Sequence, residues 1–248
     1  MPHDHAVQCV HDPLLVVLSY LVSVLGSFTA LQLAIGIPCA HGAMQRGRAI
    51  LVAGAAMGGG AIWAMHFIAM LSCRMDLQVS YDLGTTALSA GIAMVSCMVG
   101  LAIASAGVFG WGKLIVAGLF MGLGVTGMHY TGMAAMLMPA TIRYDTTLVT
   151  ASAAIAVVAS VAALWLAFNL RGWVQMLGSA LVMGVAVCGM HYTGMQAATF
   201  IPGAGPVVAS GLSGANLGTG IFAVTTLLLA VVLATSLVRQ RQRASVQI

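Results

Sequence analysis

The chain has 248 residues, of which 60% are hydrophobic and only 6% are charged, and its formal net charge is +4. A water-soluble domain carries roughly 25% charged residues, so this composition excludes a soluble globular protein and indicates a membrane protein. The nine basic residues are spread over short connections and form no patch for nucleic acid, so we expect no nucleic-acid partner.

Seven apolar runs are long enough to cross a bilayer, because a spanning helix needs about 20 residues. The predicted fold class is therefore all-α, a polytopic membrane protein with seven transmembrane helices in residues 14–238. A tail of residues 1–13 precedes them and contains no basic residue, so we expect no cleaved signal peptide. A basic tail of residues 239–248 follows. The predicted spans are 14–37, 49–72, 83–106, 114–138, 147–170, 174–200 and 217–238.

Arginine and lysine are distributed unequally between the two sides of these spans. Only Arg74 and Arg143 fall on the side of the N-terminus. Because cytoplasmic loops are enriched in basic residues, we predict that the N-terminus lies outside and the C-terminus in the cytoplasm, with the lipid bilayer as the surrounding partner. The residues on the cytoplasmic side are Arg46, Arg48, Lys113, Arg171, Arg239, Arg241 and Arg243.

A seven-residue motif, G-M-H-Y-T-G-M, occupies residues 127–133 and again 189–195, and an altered copy, A-M-H-F-I-A-M, occupies residues 64–70. A fixed interval of 62 or 63 residues is typical of a repeated structural unit. We predict three tandem two-helix repeats, each with a motif helix, an outer loop and a return helix. Helix one is then the extra helix outside the threefold pattern.

The outer loops repeat as well. Tyr81-Asp82 follows the first motif histidine by 15 and 16 residues, and Tyr144-Asp145 follows the second by the same intervals. The third outer loop lacks this pair.

The motif histidines His66, His129 and His191 are the predicted metal ligands. In the predicted topology all three motif helices run outward, so the three histidines share one depth near the outer face. Methionines flank each histidine on the same helix, either one turn later or directly before it. These six further candidate ligands are Met70, Met133, Met195, Met65, Met128 and Met190.

Imidazole and thioether donors with no carboxylate nearby suit copper, especially Cu(I), better than magnesium, calcium or manganese. Zinc is less favoured, because its structural sites use thiolates.

Tyr130 and Tyr192 flank the histidines as direct ligands, as hydrogen-bonding supports of the ligands, or as part of an interfacial aromatic belt. The last two roles are favoured, because Phe67 lacks the hydroxyl. Cys188 lies one turn before His191 and is expected to support the site.

The five cysteines, at positions 9, 39, 73, 97 and 188, include no C-x-x-C pair and no regular spacing. We therefore expect neither a zinc knuckle nor a disulfide framework. The N-terminal residues form a second polar cluster, which could load metal from outside but is interpreted as a flexible tail. Its members are His3, Asp4, His5, Cys9, His11 and Asp12.

With its two M-H-Y-T copies and the altered third, the chain resembles the MHYT family of bacterial integral membrane sensor domains over essentially its whole length. The resemblance implies a bacterial inner-membrane protein with a periplasmic N-terminus. It also implies copper held by Met, His and Tyr, and sensing of O2, CO or NO. Phe67 and Ile68 depart from the family pattern, so no role requiring three tyrosines is expected.

Members of the family often continue into a cytoplasmic signalling domain. This sequence ends ten residues after the predicted seventh helix, so we expect a stand-alone member that signals through a separate cytoplasmic protein.

Three other functions remain open on the sequence. In a copper-handling protein, Met57, Met121 and Met183 would form the next step inward from the histidines. In a haem-binding electron-transfer protein, histidine would ligate the iron and the motif glycines would make room for the macrocycle. In a scaffold without a site, the histidines would only pack the bundle. An enzyme is not expected, because all five acids are terminal or in outer loops and no nucleophile and base pair is evident; these are Asp4, Asp12, Asp76, Asp82 and Asp145.

Overall fold

The computed structural model of the protein describes residues 7–169, 172–203, 211–214, 217–223, 225–227, 229–230 and 234. Predicted features outside them are residues 1–6 of the N-terminal tail with His3, Asp4 and His5, Arg171, part of the third outer loop, the end of the seventh span and the basic tail 239–248.

Within the described part of the chain, six helices are long and apolar enough to cross a membrane. Their large hydrophobic side chains remain exposed on many positions, such as Leu88, Leu119 and Val182, as expected of surfaces that face lipid. A shorter apolar helix, α7 (Leu217–Leu227), lies within the predicted seventh span. The prediction of an all-α, multi-pass membrane fold is confirmed. The six helices are α1 (Pro13–Ala34), α2 (Ala43–Ser72), α3 (Leu83–Ala104), α4 (Trp111–Ala134), α5 (Thr146–Asn169) and α6 (Trp173–Gln196).

The predicted fourth and sixth spans continue too far, because short strands follow these helices. Helix α4 ends at Ala134 and α6 at Gln196, whereas the hydropathy of residues 135–138 and 197–200 predicts that both helices continue. These residues stay apolar because they lie beneath the connections at this end of the bundle, so hydropathy does not mark the helix end. The strands are β1 (Val10–His11), β2 (Cys73–Arg74), β3 (Ser80–Tyr81), β4 (Met136–Leu137), β5 (Ala140–Tyr144), β6 (Ala198–Pro202) and β7 (Leu212–Ser213). We call this end of the molecule the strand end.

The six long helices form a closed ring. Each packs against its neighbours in sequence, and α1 closes the ring by packing against both α2 and α6. The motif helices α2, α4 and α6 are therefore alternate members of the ring. Residues at one depth on three alternate members can meet at the centre, and this arrangement positions the site.

The strand end has the same threefold pattern as the helices. Strand β1, before α1, pairs with β2, which follows α2; β3 pairs with β4 after α4, and β5 pairs with β6 after α6. In each unit an aspartate donates its backbone N–H to a carbonyl at the end of a motif helix. The three bonds are Asp12 to Ser72, Asp82 to Ala135 and Asp145 to Ala197, at 2.8 to 2.9 Å.

The same three aspartates cap the helices that follow them. Asp12 accepts from Leu14 N, Asp82 from Thr85 N and Asp145 from Thr147 N. A side-chain oxygen at this position satisfies amide groups that the helix cannot pair internally. The Arg74 guanidinium lowers the pKa of Asp12, and the Thr85 amide lowers that of Asp82. The charged Asp12 and Asp82 caps therefore stabilise the fold at neutral pH and lose that effect as the pH falls through their lowered pKa values.

Helix one precedes the three motif helices and their repeats, as predicted, and the structure shows where it packs. Since β1, Asp12 and α1 repeat the arrangement of β3, Asp82 and α3, helix α1 takes beside α6 the place in the ring that α3 takes beside α2. Helix α7 is not a member of this ring of six.

Cys9 and Cys73 form a disulfide, so the expectation of no disulfide is wrong. Their spacing of 64 residues gave no local signal; they meet because β1 pairs with β2. Residues 7–12 are likewise not a loose tail, since Val7 also bridges to Phe200 and Asp12 forms an ion pair with Arg74.

Thiol labelling tests the disulfide. In denatured, unreduced protein we expect a maleimide to modify Cys39, Cys97 and Cys188, and after reduction all five cysteines. Mass spectrometry gives the count, and modification of all five without reductant would contradict the pairing. Because a disulfide restricts the unfolded chain, Cys9→Ser should lower the free energy of unfolding by about 2–4 kcal/mol; Cys39→Ser, at an exposed free thiol, is the matched control.

Candidate metal centre

The three motif histidines lie at one level of the bundle, about one and a half helical turns from the strand end. Each is five or six residues before its helix ends, at Ser72, Ala134 and Gln196. All three side chains are fully buried, with exposures of 0 to 1%. The predicted convergence of His66, His129 and His191 at a common depth is confirmed.

Their Nδ1 atoms face one another. The distance from His66 Nδ1 to His191 Nδ1 is 2.9 Å, and that from His129 Nδ1 to His66 Nδ1 is 3.2 Å. The rings meet edge to face, with centroids 4.9 to 5.2 Å apart. One candidate ligand nitrogen from each histidine lies within 4.8 Å of the other two.

This geometry fits a metal ion. Nitrogen ligands about 2.0–2.1 Å from a tetrahedral metal are separated by about 3.3 Å, within a few tenths of an ångström of the distances found here. The Nε2 atoms of all three rings are buried and have no hydrogen-bond partner among the described residues. With the proton on Nε2, each neutral ring directs its Nδ1 lone pair at the other two, and a shared cation would relieve the resulting repulsion.

Two of the imidazole rings pack directly against glycines of the next motif helix. We call these glycines the glycine seats. A Cβ atom at Gly132 would lie 2.3 Å from His66 Nε2, and one at Gly194 would lie 2.3 Å from His129 Nε2. Both glycines follow a histidine by three residues in the motif, so α4 and α6 each supply one imidazole and a glycine against which another imidazole packs. The glycines therefore do not make room for a macrocycle, because histidine rings fill the space beside them.

The six candidate methionine ligands are buried and flank the level of the histidines on both sides. Met70, Met133 and Met195 pack in an apolar cluster at the strand end, together with Phe67 and Tyr81. Met128 and Met190 belong to the deeper core cluster, and Met65 is fully buried. Ligation by their sulfur atoms remains a prediction.

The aromatic residue after each histidine packs against the ring of that histidine. Tyr130 contacts His129 at 4.7 Å between centroids and Tyr192 contacts His191 at 5.0 Å, while Phe67 contacts His66 in the same way. The Tyr130 hydroxyl hydrogen-bonds to Ser152 of α5 at 2.9 Å. Its oxygen is thus turned to the return helix, which favours a supporting role over direct ligation.

The aromatic layer continues into the strands. Tyr81 packs on Phe67, Tyr144 on Tyr130 and His11 on Tyr192. Burial raises the pKa of Tyr144 to about 12 and that of Tyr81 well above its ordinary value, so both hydroxyls stay protonated at neutral pH. His11, Tyr81 and Tyr144 each stand directly before a capping aspartate, and together they cover the histidine site.

Replacing Tyr130 with phenylalanine distinguishes direct metal ligation by the tyrosine hydroxyl from a supporting role of the side chain. We expect the copper content to stay at the wild-type value and the free energy of unfolding to fall by about 1 kcal/mol, because one buried hydrogen bond is lost. Ser152→Ala removes the same bond from the other side and should give the same result. Elemental analysis and thermal unfolding in detergent measure both quantities, and loss of copper in Tyr130→Phe alone would identify the hydroxyl as a ligand.

Cys188 is half-buried, and its thiol lies beside the Ser19 hydroxyl of α1. The structure thus places it at the contact between α6 and α1; its supporting role at the histidines remains a prediction.

Sequence reasoning missed the two glycines against which histidine rings pack, and the contact of His11 of strand β1 with Tyr192, which we call the N-terminal cover. A signal for the cover was present: His11-Asp12 precedes an apolar run as Tyr81-Asp82 and Tyr144-Asp145 do. The seats were also signalled, because the second motif glycine occurs at the same place in both full copies.

The chain matches the MHYT family, described as the bacterial signalling protein N-terminal repeat, three times, at residues 59–117, 122–180 and 184–246. It is 39% identical over 240 residues to the bifunctional diguanylate cyclase/cyclic di-GMP phosphodiesterase MucR of Pseudomonas aeruginosa, covering 94% of this chain and 35% of that protein. It is 35% identical over 197 residues to the cyclic di-GMP phosphodiesterase NbdA of the same species, covering 77% of this chain and 25% of NbdA.

A third relative is the signaling protein YkoW of Bacillus subtilis, 29% identical over 201 residues, with 78% of this chain and 25% of YkoW covered. The chain thus spans only about a quarter to a third of these relatives. No solved structure matches it. With three repeat matches across more than half of its length and its histidines joined in one buried cluster, the chain belongs to the MHYT family of bacterial membrane signalling proteins.

Proposed function

We propose that the chain is a sensor domain that binds copper through His66, His129 and His191 near the periplasmic face of the inner membrane and responds to a diatomic gas or to redox state. The observation that carries this proposal is the convergence of three buried Nδ1 atoms, two pairs of which lie 2.9 and 3.2 Å apart. Imidazole nitrogens with thioethers close by and no carboxylate form a donor set that suits copper.

The surroundings of the histidines favour a single small ion over haem. The rings contact one another, and Gly132 and Gly194 are filled by imidazole, so a flat macrocycle would have to separate helices that are in contact. Copper would supply a coordination position for O2, CO or NO. The chain's own residues hold the imidazoles in place and exclude water.

The Cys9–Cys73 disulfide supports the proposed orientation. Structural disulfides form in oxidising compartments such as the periplasm, and this one lies at the strand end. Arg46, Arg48 and Lys113 lie at the opposite end of the bundle, as the preference for basic residues in the cytoplasm requires.

The signal would pass to a cytoplasmic signalling protein. The relatives support this output, because two of them are named for diguanylate cyclase or cyclic di-GMP phosphodiesterase activity. A ligand changes the output only by binding two conformations with different affinity. The ring of helices offers a route, since each motif helix runs from the histidine level to the opposite end.

Metal analysis of detergent-purified protein grown with copper tests the proposal. We expect about one nitrogen-coordinated copper per chain, identified by imidazole scattering in X-ray absorption, and in the reduced protein under CO an infrared band of a copper carbonyl. Purified protein that holds no copper after loading with Cu(I) or Cu(II) would overturn the copper assignment. Copper without a carbonyl band would leave redox state as the signal.

A further inference from the structure

A second set of methionines repeats in the motif helices, farther from the strand end. Met121 and Met183 precede their histidines by eight residues, and Met57 precedes His66 by nine. In each copy a glycine follows the methionine directly. Eight residues of α-helix span about 12 Å, so these sulfur atoms belong to a deeper level than the histidines.

The three methionines line one cavity of about 30 Å³ at the centre of the ring. All three side chains are buried, with exposures of 1 to 6%. Met190, which directly precedes His191, lines the same cavity and thereby connects it to the histidine level. The cavity is large enough for one ion or one small molecule.

The local structure of α2 supports this alignment. The first copy has one residue more between methionine and histidine than the other two copies, which in a regular helix would turn Met57 about 100° away from the axis of the bundle. Residues Ala56–Trp63 form a π-helix, whose wider turns accommodate an additional residue. Met57 therefore lines the cavity with Met121 and Met183 despite the insertion. Such segments are rare and occur mostly at functional sites.

A second, independent observation points to a ligand. Ser27 of α1 lines the cavity, is fully buried, and its hydroxyl has no hydrogen-bond partner among the described residues. A buried hydroxyl without a partner costs free energy, and an occupant of the cavity could accept or supply the missing interaction.

We propose that Met57, Met121 and Met183 form a second metal site for a soft monovalent cation, Cu(I) or Ag(I), about 12 Å below the histidine site. Thioether sulfur prefers soft ions, and carboxylates, which hard divalent ions require, are absent from the residues that line the cavity. The histidine site and the methionine site then lie on one axis, with Met190 between them. This site does not depend on the proposed function, because its ligands are separate from the three histidines.

Silver is the probe, since Ag(I) is soft and does not change oxidation state. After equilibrium dialysis of the detergent-solubilised chain against silver nitrate, we expect elemental analysis to give about two Ag(I) per wild-type chain. Met121→Leu/Met183→Leu, which conserves volume, should hold about one. Met176→Leu, at a buried methionine of α6 outside the cavity lining, should behave as the wild type.

The variant His129→Ala distinguishes silver bound at the methionine site from silver bound at the histidine site. It should keep the silver of the methionine site, visible as sulfur scattering at the silver absorption edge, even if the histidine site fails to bind. Thermal unfolding checks that each variant is folded, and if the double variant is not, Met121→Leu alone should bind silver at least about tenfold more weakly. Wild-type silver content in a folded methionine variant, or cavity occupation by xenon with no silver, would overturn the proposal.

Discussion

Replacing His129 with alanine is expected to remove the nitrogen-coordinated copper from the protein. The variant deletes one of three Nδ1 atoms that face a common centre, and its distance to His66 Nδ1 is 3.2 Å. Loss of a residue that only supports a metal ligand already weakens affinity by about 10–100-fold, so loss of the ligand itself should exceed that range. His191→Ala should have the same effect, because His191 forms the 2.9 Å contact.

His41→Ala is the matched control, because His41 is exposed and lies in the connection between α1 and α2, far from the motif. It should hold as much copper as the wild type. The measurement combines elemental analysis with X-ray absorption, which identifies nitrogen around the metal.

Thermal unfolding gives a second measurement of the loss of copper from His129→Ala. A ligand that binds only the folded state stabilises it, by about 2.7 kcal/mol at a concentration 100 times its dissociation constant. Copper should therefore raise the unfolding temperature of the wild type and of His41→Ala by more than that of His129→Ala. A copper-dependent rise of wild-type size in His129→Ala would show that the ion binds elsewhere.

Much of the site was predictable because it depends on helical periodicity. Three motif copies at equal intervals, on helices that cross in the same direction, place His66, His129 and His191 at one depth. That depth follows from the helix rise alone. Whether the three imidazoles face the centre of the bundle depends on how the six helices pack against one another, which is tertiary structure.

The N-terminal cover was not predicted, because it is fixed by contacts between distant parts of the chain. Strand β1 pairs with residues 73–74, and Val7 bridges to Phe200. A strand of two residues, such as β1, carries no alternating pattern from which to predict it. The position of α1 in the ring also needed the structure, since its packing against α6 joins parts of the chain more than a hundred residues apart and has no local signature.

Replacing Gly194 with alanine is expected to disturb the histidine site from the position where the ring rests. The new Cβ would lie 2.3 Å from His129 Nε2 and 2.9 Å from its Cδ2, so the imidazole would have to move by about 1 Å to regain ordinary contact. That movement displaces Nδ1 from the common centre. Overpacking of this kind costs about 1–3 kcal/mol, and we expect both the unfolding temperature and the copper affinity to fall.

The motif contains its own control. Gly189 begins the same seven residues, and a Cβ there would meet no described atom within 4 Å. Gly189→Ala adds the same methyl group to the same helix and should be neutral or stabilising by about 0.5–1 kcal/mol, since alanine restricts the unfolded chain more than glycine does. The pair therefore separates a steric effect on the imidazole from any general effect of alanine on α6.

Gly132→Ala and Gly127→Ala repeat the comparison on α4. A Cβ at Gly132 would lie 2.3 Å from His66 Nε2, whereas Gly127 faces open space. Both tests are confined to the two full copies, because the altered copy carries Ala69 at this position. If Gly132→Ala and Gly194→Ala bind copper as tightly as their controls, the rings are not held by these seats, and the close approach of the motif helices would not be what positions the three imidazoles. If both lose copper while their controls keep it, the second glycine of the motif is as necessary to the site as the histidine itself.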